Sequence, residues 1–368
     1  MDFILSESQN ELAALARRIL ADRVTPDRLR EVEAAGDRFD PALWADLAAA
    51  GVLAAALPED LGGAGLGLLE QCSVLAEIGR AVAPAPYLAS IVLGAGALAQ
   101  FGTPGQRKAW AEPAGRGGLI LTAALTGEEG TPAVTAEEAS GGWRLNGTMT
   151  AVPAGLRADL TLLPALTAHG VLVFLLERPG SRVIRAPQRL VDGDIAARLD
   201  LDDVELPNES VLGGPEAGTQ VADWLAARAT VGLCALQLGI VERALELTSA
   251  YAKTRVQFDK PIGSFQAVAG RLADAYIDVE AVRLTMWQAA WRLAAGLPAE
   301  TEVATAKFWA ADAGHRVAHT AVHVHGGVGI DIGYPVHRYF VAAKRAEFEL
   351  GGATAQLRRI GAALARAH

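Results

Sequence analysis

Along the chain, apolar residues recur every three or four positions over residues 5–115, alternate with polar ones over 118–212, and return to helical spacing over 219–367. The first regime predicts helices. LSESQNELAALARRILADRV (5–24) carries an apolar stripe after Ser6 or Ser8 as the N-cap, and FDPALWADLAAAGVLA opens on Asp40-Pro41, a cap followed by a first-turn proline. PEDLGGAGLG is a glycine-rich connector into the helix LLEQCSVLAEIGRAV. In the second regime, GLILTAALT, GGWRLNGTMTAV, ADLTLLPAL, HGVLVFLLE, RVIRA and ARLDLDDVEL read as short strands joined by turn residues. They predict a β-barrel-like domain of about a hundred residues.

The third regime predicts four long amphipathic helices. These are ADWLAARATVGLCALQLGIVERALELTSAYAKT (222–254), the run after Ser264, ETEVATAKFWAADAGHRVAHTAVHVH (300–325), and a last helix from about 335, broken at Gly351-Gly352. Four such helices make a bundle. The predicted fold is therefore α+β and multidomain: an N-terminal helical domain (1–117), a middle β-barrel domain (118–218) and a C-terminal four-helix bundle (219–368).

Composition narrows the partners. The chain has 368 residues, half of them hydrophobic, and a net charge of −9 with no basic block, which argues against nucleic acid. Cys72 and Cys234 lie in apolar helical patterns and read as small buried hydrophobes in a reducing compartment. MDFILSESQN lacks a basic n-region, so no secretory signal is expected, and YLASIVLGAGALAQFG (87–102) is shorter than the ~20 apolar residues of a membrane span. A cytoplasmic protein that does not engage a membrane is expected.

Two motifs carry candidate chemistry. In RVQFDKPIGSFQ (255–266) a guanidinium, an aromatic ring and a glycine share a short polar turn, with Ser264 placed as the N-cap of the next helix. Backbone N–H groups, a helix start and an arginine together suit a diphosphate. In HVHGGVG (323–329), Gly326 and Gly327 remove side chains so that a flat group can approach the backbone. An aromatic stripe of Met286, Trp287 and Trp291 on the intervening helix reads as packing.

The two motifs, in this order and spacing, resemble the acyl-CoA dehydrogenase family. LPEDLGGAGLGLLE (57–70), HVHGGVGIDIGYPVHRYF (323–340) and LGGATAQLRRI (350–360) extend the resemblance over the full length. It implies FAD as cofactor. Arg255, Gln257, Phe258 and Gln266 match the family's pyrophosphate and adenine-side contacts, which reach a neighbouring subunit's FAD; among the retained cofactor residues, His323, Gly326, Gly327 and Gly329 match its glycine loop, and Thr354 and Gln356 the threonine and glutamine just past its glutamate. It further places backbone near the flavin ring around Leu125–Thr126 and Val152–Ala154. GEEGTPAV (127–134) stands where the family usually has E-P-x-A-G-S-D.

Oxidising an acyl-CoA between Cα and Cβ needs a base for the α-proton and an acceptor for the β-hydride. The family's base is a glutamate, and its position here is Gly352. The alternative position used by some members, about ten residues before Gly239, reads AARATVGL and holds no acid. Glu349 and Asp223 are the displaced acids considered; Glu242 is expected on a solvated face. His323 and His325 flank the glycine loop, and Gly333 replaces an acid that many relatives carry.

A chain of this kind resembles the base-lacking partner in heteromeric bacterial acyl-CoA dehydrogenases, which share each active site between two homologous chains and are associated with breakdown of steroid side chains. The resemblance implies an acyl-CoA substrate, a paralogous subunit in a heterotetramer, and electron-transfer flavoprotein as acceptor. Three alternatives stay open: a self-sufficient homotetramer using Asp223, a non-catalytic structural subunit, and a flavin monooxygenase or oxidase on the same scaffold.

Overall fold

A computed structural model describes residues 3–36, 38–127, 133–178 and 182–366. In chain order the helices are α1 (Glu7–Arg23), α2 (Pro26–Ala34), α3 (Pro41–Ala49), α4 (Leu68–Ala81), α5 (Gly96–Phe101), which continues a π-helical turn from Leu88, and the short α6 (Pro104–Gln106) and α7 (Glu112–Gly115). Strands β1 (Leu121–Ala123), β2 (Val134–Ala139), β3 (Gly142–Val152), β4 (Leu160–Thr167), β5 (Gly170–Glu177), β6 (Val183–Arg189) and β7 (Ile195–Pro207) follow. Then come α8 (Gly218–Thr254), the two-residue strands β8 (Val256–Gln257) and β9 (Lys260–Pro261), α9 (Gln266–Ala294), α10 (Glu300–His325), α11 (Pro335–Phe348) and α12 (Ala353–Arg366). They form two compact units, one of residues 30–67 and 84–229, the other of 1–29, 68–83 and 230–368.

The first unit holds one seven-stranded sheet, ordered β5-β4-β2-β3-β7-β6, with β1 pairing parallel to β4. The middle of the chain is thus a curled sheet. β2 was not among the strands that alternation predicts, because its sequence VTAEEA carries two adjacent acids that break the apolar period. The sheet closes over a core that includes Leu145, Leu163, Leu199 and the edge-to-face pair Trp143–Phe174, 5.6 Å between centroids. Register shifts between β3 and β7 fall at Leu145/Gly147 and Met149/Val152, and Ala151 and Ala154 take positive φ there. In the same unit, Asp40 caps α3 through Ala42 N–H (3.0 Å) with Pro41 in the first turn, as its sequence predicts.

The second unit is helical. Ser6 caps α1 in a reciprocal box with Gln9. α4 crosses α8 so closely that a Cβ on Gly79 would lie 2.0 Å from the Leu236 carbonyl oxygen, and one on Gly239 1.9 Å from that of Ala76. Only glycine allows the two backbones to meet. The last predicted helix breaks where its two glycines stand, giving α11 and α12. The apolar window within 215–254 is long enough to cross a membrane, but 72% of it is buried in the protein, as in the core helix of a globular fold. Cys72 and Cys234 are buried free thiols, and burial pushes Cys234 up to about 12.

Two buried polar side chains tie this unit together. Gln237 on α8 donates to the carbonyls of Ala310 on α10 (3.1 Å) and Ala343 on α11 (3.4 Å). Lys307, fully buried on α10, donates to the Ala346 (3.0 Å) and Glu347 (3.1 Å) carbonyls. Those carbonyls belong to the last turn of α11, which has no intrahelical donor for them. The buried ammonium also opposes the negative end of the helix dipole, while burial itself lowers its pKa. Lys307→Met should leave both carbonyls unsatisfied and destabilise the fold by about 1–3 kcal/mol, measured as a lower midpoint in chemical denaturation. An unchanged midpoint would show that the capping contributes nothing.

Candidate functional site

The predicted phosphate-binding turn is a two-residue hairpin. β8 and β9 pair as Val256↔Pro261 and Gln257↔Lys260, and Phe258 and Asp259 both take positive φ (50° and 62°), the pattern of a type I′ turn. Such turns favour Asn-Gly. A bulky Phe in left-handed backbone is strained, and here the residue is 86% exposed. It meets Phe265 edge-on at 6.2 Å, and the Lys260 ammonium sits 4.4 Å from the Phe265 ring centre. Arg255, Gln257 and Gln266 are exposed around this hairpin.

Ser264 does not cap the next helix. Its hydroxyl donates to the Pro261 carbonyl (2.7 Å), closing the 3₁₀ turn Ile262–Ser264; α9 begins at Gln266, after Phe265, without a side-chain cap. The hydroxyl that the sequence assigns to the helix start is consumed by the tighter turn before it.

The glycine loop is reached through Tyr251, a residue that sequence reasoning passed over. His325 at the end of α10 is 4% exposed and stacks on Tyr251 at the end of α8, 4.3 Å between centroids and 27° apart. Arg255 N–H donates to the Tyr251 carbonyl (2.8 Å), so the stack sets the hairpin beside the glycine loop. An aromatic residue one turn before Arg255 was the available signal. His325 Nδ1 lies 2.8 Å from the Ala321 carbonyl, which fixes the proton on Nδ1 and leaves Nε2 buried without a hydrogen-bond partner. His325 is therefore part of the packing beneath the loop, while His323 is exposed.

Gly326 has φ 64° and ψ −144°, which excludes other residues, whereas Gly327 has no such constraint. A Cβ on either would meet nothing within 4 Å. The fold of this chain does not need Gly327; the open space above it fits a flat ligand group from outside. Gly329, by contrast, is buried against Val322 and His325. Thr354 is exposed in the first turn of α12.

Gln356 departs from its expected place among the cofactor contacts. It is fully buried, and its amide donates to the Leu350 (3.2 Å) and Gly351 (2.9 Å) carbonyls while its oxygen accepts from Arg359 (3.4 Å). Its groups hold the turn between α11 and α12. In the sheet unit, Thr126 is exposed and its carbonyl accepts from Thr150 N–H (2.9 Å). Val152 is buried in the core and the Pro153 carbonyl accepts from Thr122 (2.6 Å). Of the GEEGTPAV run, residues 128–132 lie outside the described residues.

Gly352 sits just past the left-handed Leu350 and Gly351 (φ 59° and 93°) but is not itself left-handed. A Cβ there would meet its nearest neighbours, the Glu347 carbonyl oxygen and Phe348 Cδ1, at 3.5 and 3.9 Å, ordinary contact distances. A side chain is sterically admissible at Gly352. The flanking acids are engaged: Glu347 with Lys344 (2.5 Å) and His315 (3.2 Å), Glu349 with Arg345 (3.2 Å). Asp223 is exposed. Glu242 is not on a solvated face. Its side chain is 19% exposed and ion-paired with Arg283 (2.6 Å) and Arg80 (3.8 Å), because α4 and α9 cover that stripe of α8. Burial raises its pKa, opposed by the two guanidiniums. Among the described residues no cluster of His, Cys, Asp or Glu could hold a metal.

With this fold and site, the chain belongs to the acyl-CoA dehydrogenase family. The model of the family's N-terminal domain matches residues 6–118, and that of its C-terminal domain residues 216–365. It is 49% identical to acyl-CoA dehydrogenase FadE27 of Mycobacterium tuberculosis, over 99% of both chains. It is 30% identical to the human mitochondrial short-chain specific acyl-CoA dehydrogenase, over 84% of this chain and 78% of that one. Among solved structures it resembles a chain of the ChsE4-ChsE5 complex from Mycobacterium tuberculosis (TM-score 0.96, 50% identity, 99% of each chain). It also resembles a chain of the Tcur3481-Tcur3483 steroid acyl-CoA dehydrogenase G363A variant (TM-score 0.92, 39% identity, 98% of each).

The stack beneath the glycine loop gives a pH-dependent prediction. Burial holds His325 below the ordinary histidine value, opposed by the Ala321 carbonyl. The native state therefore keeps it neutral while the unfolded chain gains a proton as pH falls below about 6.5. Its contribution to stability is complete above that value and is lost as pH drops toward the native pKa. His325→Phe, which retains a ring against Tyr251, should lose less stability than wild type between about pH 7.5 and 5.5. Parallel denaturation midpoints across that range would refute the assignment.

Proposed function

We propose that this chain is the acyl-CoA dehydrogenase subunit that contributes FAD contacts across an interface, lacks its own base, and works with a paralogous chain. One observation carries this reading: the base position is an unobstructed glycine, while Arg255, Gln257, Phe258, Gln266, His323, Gly326, Gly327 and Thr354 face outward from their own helical unit. Outward-facing residues serve a cofactor held largely by another chain. The segments 1–117, 118–218 and 219–368 act as the family's three domains in this assembly, which is cytoplasmic. The similarity to chains of the ChsE4-ChsE5 complex and of a steroid acyl-CoA dehydrogenase supports a bulky, steroid-derived acyl-CoA as substrate. A likeness to a chain solved with an electron-transferring flavoprotein, of 28% identity, supports that acceptor.

In this assembly FAD supplies the hydride acceptor. The Arg255 guanidinium neutralises pyrophosphate charge through charge-assisted hydrogen bonds. The strained hairpin presents the Phe258 ring, and the bare backbone at Gly326-Gly327 admits the nucleotide half. Because Gly352 carries no carboxylate, the α-proton is removed by the partner chain's base. The ion pairs of Glu347 and Glu349 weigh against a displaced acid on this chain. Helix α9 also leaves Ile277, Leu284 and Trp291 exposed, seven residues apart, a seam suited to a helix of another subunit.

Three measurements test the proposal. Arg255→Ala should weaken FAD retention about tenfold or more in the assembled protein; unchanged flavin content would make the hairpin structural only. Light scattering should find an oligomer, and a ~38 kDa species retaining FAD would contradict an interfacial cofactor. Under anaerobic conditions the isolated wild-type chain, supplied with FAD, should not reduce it with straight-chain, branched or steroid-derived CoA thioesters, since it lacks both the chain that holds most of the cofactor and a general base, whose loss alone costs about 10²–10⁴-fold. Turnover by the isolated chain would overturn the base-lacking reading.

A further inference from the structure

Neither the hairpin nor the glycine loop is anchored by its own apolar residues. The hairpin strands pair over two residues each, and Val256 and Phe258 are exposed. In the loop, Val328, Ile330 and Ile332 are exposed as well. Segments whose apolar side chains face solvent bury too little to fix their own place and open easily. What holds both lies at their roots.

Three aromatic rings pack together there. His325, the last residue of α10, stands 4.3 Å from the Tyr251 ring and 5.4 Å from that of Tyr334. Tyr334 immediately precedes α11, so the residues on either side of the loop meet in one cluster and the loop leaves and returns at the same point. Gly329 lies down on that cluster: a Cβ there would come within 3.1 Å of His325 Cβ and 3.0 Å of the Val322 carbonyl oxygen. The hairpin grows from the same place. Arg255 N–H donates to the Tyr251 carbonyl (2.8 Å) and Ile262 N–H to the Arg255 carbonyl (2.8 Å). Gly263 then returns onto Ala252, where a Cβ would stand 3.0 Å from the carbonyl oxygen. The backbone at 251–252 thus carries the hairpin, while the Tyr251 ring carries the loop.

We propose that Tyr251 is a positioning residue for FAD: its ring, through His325 and Tyr334, sets the glycine loop, and its backbone sets the hairpin, so one residue fixes the spacing of the two segments. This role rests on the reading that both segments contact FAD across an interface, and it does not require Tyr251 to touch the cofactor. A leucine fills much of the same volume but presents no flat face to the imidazole; a phenylalanine does.

The test compares Tyr251→Leu with Tyr251→Phe, and with Arg255→Ala as reference. Amide hydrogen exchange on the cofactor-free chain is read at 255–263 and 326–333. In Tyr251→Leu both segments should exchange at least about tenfold faster while the middles of α9 and α10 keep their protection, and Tyr251→Phe should match wild type. In the native assembly, FAD retention should weaken about tenfold or more in Tyr251→Leu and by less than about twofold in Tyr251→Phe. Circular dichroism checks the fold; should Tyr251→Leu misfold, His325→Leu against His325→Phe makes the same comparison from the other ring. Exchange that is unchanged, or raised in one segment alone, would overturn the proposal, as would Tyr251→Phe behaving like Tyr251→Leu. FAD retained by Tyr251→Leu but released by Arg255→Ala would overturn it and leave the cofactor reading standing. FAD retained by both would remove that reading and the proposal with it.

Discussion

The stacking of His325 on Tyr251 is the contact that brings the 255–263 hairpin and the glycine loop together. Arg255 and Gly326 are far apart in sequence, and nothing local brings them together. The last turns of α8 and α10 converge because two aromatic rings bury each other there, and the hairpin and the glycine loop leave from those same turns. The cost of the arrangement is visible in the unpartnered His325 Nε2 and in the left-handed Phe258. His325 is held by the packing around it, while Phe258 is fixed by the two-residue hairpin and stays exposed.

A second set of constraints positions the turn that carries Gly352. Lys307 satisfies the last carbonyls of α11, Gln356 satisfies the carbonyls of Leu350 and Gly351, and Gln237 ties α11 to α8. A turn usually governed by solvent is thus pinned from within by buried polar groups. Gly352 therefore sits in a well-fixed turn that has room for a side chain.

Charge in the helical unit follows the same economy. Glu242, Glu246 and Glu77 are each drawn into pairs with Arg283, Arg80, Arg243 and Arg17, so burial does not leave isolated charges at the α1–α4–α8 crossing. The close approach of α4 and α8 at Gly79 and Gly239 makes this clustering unavoidable, since it brings both charged stripes within reach of one another.

Periodicity determined the order of helical, β and helical segments, and local residue types gave a cap at Ser6 or Ser8, the cap at Asp40 and the break at Gly351-Gly352, because each depends on neighbours within a few residues. The motifs around Arg255 and Gly326 were legible for the same reason: their residue types announce a turn and a bare backbone. Tertiary structure decided the rest. That Glu242 is half-buried, that Gln356 serves a turn, that Ser264 closes a 3₁₀ turn, and that Tyr251 joins the two motifs all depend on tertiary packing. Local sequence specifies a side chain's chemistry, but only packing settles whether its polar atoms are spent within the fold or left for a ligand.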